Sequence, residues 1–328
     1  MKMPMKRTIR RHAEQFLIGA AIVIGILALL TQIASTQAQA ATPRTSTVAQ
    51  AWGLWQPANN SAYKLKGQPP PVAISYYGWQ EQPQCAEIQD AAARHTTGYL
   101  VIGSEQTDLA TIVTGRWDAY LTSFGQNIAN CGVPVLATFD HEMNGSWYPW
   151  GEQATAWRAA WNHVTDTINA GCNCGSLLRW VWAPNVTGPG IDSPALYWPV
   201  RNVDMIGIDG YFWTPQDRFG AVFGQTVRII RKHWPTLPMV IAEAGVEHSS
   251  PDRIAQVRSL ACHGYSVWYF DAQDASGIDW HLGPYEHRAF LRCQRWQPWP
   301  RIGPESPAPA PKVPSDLRIF GTSSKLPR

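Results

Sequence analysis

Short apolar runs alternate with longer stretches in which apolar positions recur every third or fourth residue, and the alternation continues from residue 72 to residue 293. A short apolar run between turn signals is the mark of a strand buried on both faces. Such runs predict strands at Val72–Tyr77, Tyr99–Gly103, Ala110–Val113, Pro134–Phe139, Leu178–Trp182, Asp204–Ile208, Met239–Ala242 and Ser266–Phe270. The longer stretches read as amphipathic helices at Cys85–His95, Trp117–Asn130, Ala154–Ala170, Ala221–His233, Pro251–Cys262 and Pro284–Cys293. Strands alternating with helices over about 225 residues predict an α/β fold, a single (β/α)8 TIM barrel, here over residues 71–296. A doubly wound open sheet would alternate in the same way, but it should carry a glycine-rich turn after its first strand. The segment from Ser75 to Trp79, reading SYYGW, is not one.

The flanks differ in character. Residues 41–70 are polar, with Trp52, Trp55 and Tyr63 among them, and are expected to wrap one end of the barrel. Residues 297–328 are proline-rich around Pro307–Pro311, which favours extended polyproline II and predicts a flexible tail. Residues 1–40 open with Lys2, Lys6, Arg7, Arg10 and Arg11, run uncharged and apolar from Phe16 to Leu30, and end Ala38-Gln39-Ala40. That layout predicts a cleavable export signal, and the apolar run is shorter than the about 20 residues a spanning helix needs. The mature chain is therefore expected to be secreted, without stable membrane association.

Charge and cysteines narrow the classes. The formal charge of +3 conceals a division in which residues 1–40 contribute +4 and residues 297–328 contribute +3. Residues 41–296 hold 17 basic and 21 acidic side chains. Nucleic-acid binders concentrate positive charge on the folded domain, so no nucleic-acid partner is expected, and the protein is read as a monomer. All 6 cysteines lie beyond the predicted signal, and an even number in an exported chain reads as structural disulfides. Full pairing of six cysteines allows 15 connectivities, and Cys85 with Cys131 and Cys262 with Cys293 are candidate pairs among them. Cys172-Asn-Cys174 has no second Cys or His pair at zinc-site spacing, so no metal or cofactor is expected.

In a barrel the reactive side chains come from the C-terminal ends of the strands and the loops after them. The run Thr138-Phe-Asp140 leads into HEMNGSWYPWG from His141 to Gly151, and another strand ends in Ile-Ala-Glu243-Ala-Gly245. Cleavage of a glycosidic bond needs one carboxylic acid to protonate the leaving oxygen and one carboxylate at the anomeric carbon. Glu142 and Glu243 fit those roles by position. Sugars also need aromatic faces and hydroxyl partners, and of the 17 Trp residues, Trp79, Trp147, Trp150, Trp182, Trp213 and Trp268 fall at or just beyond strand ends.

HEMNGSWYPWG, then WVWAPN, then DMIGIDGYFW, then IAEAG occur in this order between Val72 and Trp280, and together they resemble glycoside hydrolase family 26. The resemblance implies a (β/α)8 glycosidase acting on a β-linked polysaccharide, foremost β-1,4-mannan. It implies Glu142 as acid/base and Glu243 as nucleophile of a retaining double displacement, with carboxyls about 5–5.5 Å apart. It implies substrate contacts from His141, Trp147 and Trp268, and a hydrogen bond from Tyr211 that keeps Glu243 ionised and aimed; position at or just beyond strand ends adds Asn144, Trp182 and Trp213 as candidate substrate contacts. The like charge of Glu243 should raise the pKa of Glu142. Two positions depart from the family pattern. Thr138 stands where the family usually has Arg, and Asp140 replaces an apolar residue, where it could bind His141 or reshape the adjoining subsite.

Other readings stay open. Mixed-linkage β-glucan, xylan or a cell-envelope glycan are alternative substrates. A carbohydrate-binding barrel without turnover is the alternative of a different class, and a metal site of His141 with Asp140 and Glu142 is a third. Asp209 can brace a loop or touch substrate, Trp182 can close the barrel, and Trp157 with Trp161 read as helix packing. The Asn144-Gly-Ser and Asn185-Val-Thr sequons fall in the expected cleft, where a glycan would obstruct binding.

Overall fold

The computed structural model describes residues 52–55, 69–173 and 175–294. The predicted export signal (1–40), residues 41–51 and 56–68 of the predicted wrapping segment, residues 295–296 and the predicted tail (297–328) lie outside the described residues. Eight strands, β1 (Gly53–Trp55), β2 (Val72–Tyr77), β3 (Thr97–Ile102), β4 (Val135–Phe139), β5 (Leu178–Trp182), β6 (Met205–Phe212), β7 (Met239–Val246) and β8 (Val267–Phe270), close into a barrel in chain order. Every pair is parallel, including the closing pair β1–β8. The helices are α1 (Cys85–Ala93), α2 (Leu109–Ile112), α3 (Asp118–Cys131), α4 (Ala154–Cys172), α5 (Phe219–Val222), α6 (Gly224–His233), α7 (Arg253–Ala261) and α8 (Pro284–Leu291). No helix among the described residues is long and apolar enough to cross a membrane.

The fold is the predicted barrel, with two strand assignments corrected. Ala110–Val113 was expected as a strand, but Leu109–Ile112 is helical: the Asp108 side chain caps it by accepting from the Thr111 N–H at 2.6 Å, and Leu109 and Ile112 bury one face. Four apolar residues fit either state, and the cap decides for the helix. The strand that replaces it is Gly53–Trp55, inside the segment expected to wrap the barrel, so the barrel begins before residue 71. Gly53 is required there, because a Cβ would lie 2.6 Å from the Trp268 ring of β8.

Strand alternation sorts the apolar residues into two cores. Val72, Ile74, Tyr99, Val101, Leu136, Val181, Met205, Val240, Ala242 and Trp268 fill the barrel interior. Their neighbours, among them Leu100, Val135, Phe139, Trp180, Trp182, Ile206, Ile208 and Ile241, pack against the helices. This is the layering of a (β/α)8 barrel, whose centre is packed rather than open. Glycines let α3 and α4 approach closely: a Cβ on Gly125 would lie 2.2 Å from the carbonyl oxygen of Ile168. Disulfides join Cys85 to Cys131 and Cys262 to Cys293, the two candidate pairs, and no cysteine among the described residues is free.

Candidate active site

The segment after β4 carries the first carboxyl. Asp140 and Glu142 both adopt left-handed backbone, φ 46° and 52°, a conformation that is strained for residues other than glycine. Surrounding bonds over-determine it. The N–H of Glu142 donates to the Ala183 carbonyl at 2.7 Å. The indole N–H groups of Trp157 and Trp150 donate to the carbonyls of Asp140 and His141 at 3.0 and 2.8 Å. The Asp140 carboxylate accepts from the N–H and hydroxyl of Ser104 at 2.8 and 2.7 Å. The buried Glu142 carboxyl accepts from the Trp147 indole at 2.6 Å and from the Asn185 amide. Burial, then the charge of Glu243, push its pKa up to about 8, while those two hydrogen bonds pull the other way. A carboxyl held protonated near neutrality can deliver a proton. The upward shift follows the sequence expectation, with burial outranking like-charge repulsion as its cause.

The second carboxyl is aimed by a break in register. In β6 the inward positions run Met205, Gly207, Asp209, Tyr211 without interruption, whereas β7 turns Val240 and Ala242 inward and then Glu243 directly after. The β6–β7 pairing shifts between Ile208 and Asp209, so that Asp209 pairs with Glu243 instead of Ala242. Strict alternation would have sent Glu243 into the helix layer, and the bulge brings it to the mouth. There the Tyr211 hydroxyl donates to its Oε1 at 2.5 Å and the Tyr76 hydroxyl donates to its Oε2. Both phenols are pushed well above the usual range, by burial first and then by Glu243, so they remain donors.

His141 Nε2 lies 4.0 Å from Glu243 Oε2 and 3.2 Å from the Tyr148 hydroxyl. Burial lowers its pKa against the opposing pull of Glu243, which leaves a neutral imidazole at pH 7. Asp209 is a third buried carboxyl, raised well above the usual range by burial and then by Glu243 and Glu142, and its Oδ1 has no hydrogen-bond partner. Ligand atoms of His141, Asp209 and Glu243 lie within 4.8 Å of one another, a spacing that could hold a cation. The donors aimed at Glu243 suit a free carboxylate equally well. The other metal set considered from sequence does not form, because Asp140 turns away from His141 to Ser104.

The pattern that defines the glycosyl hydrolase family 26 matches residues 87–281. The chain belongs to this family. Among curated relatives of the family 26 chain, endoglucanase H of Acetivibrio thermocellus is 26% identical over 212 residues, covering 59% of this chain and 23% of that protein. A mannan endo-1,4-β-mannosidase of Bacillus subtilis is 29% identical over 122 residues, covering 32% of each. The chain thus spans less than a third of the length of the curated relatives it matches. Among solved structures, a modular endo-β-1,4-mannanase of Cellulomonas fimi superposes with TM-score 0.58 at 18% identity, covering 77% of this chain and 71% of that one. That likeness is one of fold.

Against this family frame, the structure unites some predicted site residues and removes others. Glu142, Glu243, His141 and Tyr211 converge. Trp147 and Trp213 stand at the mouth with 47% and 56% of their surface exposed. Asn144, expected to touch substrate, is instead a buried brace. Its amide donates to the carbonyls of Asn185 and Asp192, each at 3.0 Å, and its oxygen accepts from the Asn185 N–H at 2.8 Å. Trp182 points outward and packs on Trp198 and Trp234. Trp268 fills the barrel interior one layer below the mouth, against Tyr99. Both are 0% exposed and cannot offer a face to a sugar. The inward positions at the strand ends are Trp55, Tyr76 and Phe270, with Trp55 stacked on Phe270 at 4.5 Å. Period-two alternation along β2 and β8 was the signal that could have found Tyr76 and Phe270.

Proposed function

We propose that the chain is an exported, retaining endo-glycosidase that cleaves β-1,4-mannan by double displacement. The observation that carries the reading is the difference between the two carboxyls. Glu142 is buried with its pKa raised to about 8, and Glu243 receives a phenolic hydrogen bond on each oxygen. One is kept as an acid and the other as a nucleophile. In the first half-reaction a Glu243 oxygen bonds the anomeric carbon, and the glycosidic C–O bond breaks. The departing oxygen takes its electron pair and receives the Glu142 proton. In the second, water gives a proton to Glu142 and its oxygen to the anomeric carbon, and Glu243 leaves as a carboxylate. Trp147, which donates to the acid, presents an exposed indole face beside it.

The name of the B. subtilis relative supports mannan. The longer alignment with endoglucanase H favours a second reading, a β-glucan. Reducing-end release from soluble β-1,4-mannan and from mixed-linkage β-glucan distinguishes them, with Glu142→Ala and Glu243→Ala as blanks. Release from mannan alone that vanishes in both variants is the expected result. Release from glucan alone would move the substrate, and binding without release in the unmodified protein would make this a carbohydrate-binding barrel.

A further inference from the structure

Glu243 is gripped from two strands, and only one of the two donors was foreseen. Tyr211 comes from β6 and bonds Oε1, and Tyr76 comes from the last turn of pleat in β2 and bonds Oε2. Tyr76 continues the inward register of Val72 and Ile74. Its ring meets Trp55 edge-on at 5.6 Å and lies 5.9 Å from the His141 ring, which fixes its direction. With 37% of its surface exposed, its outer edge faces the cleft while the hydroxyl end is enclosed. The ion-pair partner of Glu243 among the described residues is His141 at 4.0 Å, and that ring is neutral at pH 7. Hydrogen bonds from neutral phenols therefore take the place of a cation.

We propose that Tyr76 is a second catalytic tyrosine, holding one oxygen of the nucleophile while Tyr211 holds the other. This rests on the double-displacement reading above. When one carboxylate oxygen bonds the anomeric carbon, it becomes the ester oxygen and gives up its charge. The other becomes the ester carbonyl. With a donor on each, one phenol stays on the carbonyl oxygen whichever oxygen attacks. The same phenol stabilises the negative charge that returns to the carboxylate when water displaces it. Preorganised donors aimed at changing charge are worth more than the same bonds in water.

The test isolates the attack by Glu243. A 2-deoxy-2-fluoro glycosyl fluoride, in mannobiosyl and cellobiosyl forms, esterifies a nucleophilic carboxylate with loss of fluoride, which needs no acid. Mass spectrometry of the wild-type chain should place the label on Glu243. Tyr76→Phe should be labelled about ten- to a hundredfold more slowly, because a carboxylate that has lost one of its two holds drifts from the attack geometry, a misplacement that can cost about a hundredfold. Oligosaccharide affinity, measured in a Glu142→Gln background with and without Tyr76→Phe, should change less than about threefold, because that bond does not touch bound sugar. Labelling of Tyr76→Phe within twofold of wild type would overturn the proposal. So would a loss of affinity matching the loss of labelling rate, which would make Tyr76 a binding residue. A wild-type chain that neither reagent labels would overturn double displacement itself, and the role of Tyr76 with it.

Discussion

At the scale of single residues, Glu142 has both a functional and a stability consequence. Its carboxyl ordinarily titrates near 4.5 and here near 8, so between those values the folded chain holds a proton that the unfolded chain has released. The sign is that of a raised acid: the folded state is favoured at low pH, and stability falls as pH climbs from 4.5 toward 8. Glu142→Gln, which cannot ionise, should match wild type in Tm near pH 4.5 and exceed it increasingly up to pH 8. Calorimetry across that range checks this, and a constant difference would contradict it. Activity that depends on protonated Glu142 should fall on the alkaline side with a midpoint near 8 in kcat/KM. Much of this environment was legible from the motif HEMNG, which places the acid after a strand. The roles of Asn144 and Asp140 were not, because a motif names residues without saying which way their side chains turn. Asn144 went to brace Asn185, and Asp140 went to Ser104.

At the scale of elements, helix contacts and strand register decide what the strand ends present. α3 packs closely on α4, where Gly125 leaves no room for a side chain. Gly125→Ala forces backbone apart and should cost roughly 1–3 kcal/mol or more. Gly220→Ala, in α5 with nothing within 4 Å of the added Cβ, should be neutral or stabilising by up to ~1 kcal/mol. Urea unfolding of the two variants reads the contrast, and equal effects would show that α3–α4 separation is tolerated. Hydrophobic periodicity found seven of the eight strands. It misread Leu109–Ile112, since four apolar residues carry no period. It missed β1, whose three residues include one glycine and one half-buried tryptophan. The β7 bulge was also beyond reach, because Glu243 follows Ala242 in a run that reads as regular alternation.

At the scale of the whole molecule, the barrel is closed by pairing of β1 with β8 and cross-linked outside by two described disulfides. Cys85–Cys131 joins the start of α1 to the end of α3, and Cys262–Cys293 joins the ends of α7 and α8. They close 46- and 31-residue separations, and loss of either should lower stability by about 2–4 kcal/mol. Paired Cys→Ala variants should therefore unfold at lower urea while keeping wild-type kcat at 25 °C, since neither bridge touches the mouth. A drop in kcat without loss of stability would contradict that separation of roles. By itself the sequence determined the (β/α)8 class and the family, because hydrophobic period and contiguous motifs are local properties of the chain, whereas which cysteines meet across 46 and 31 residues was decided by the fold. Only the tertiary structure decided which aromatic residues face a sugar, which oxygen of Glu243 meets which tyrosine, and why Glu142 stays protonated. Those depend on burial and on side chains brought together from β2, β4, β6 and β7, and no local pattern specifies a distance between strands so far apart in the chain.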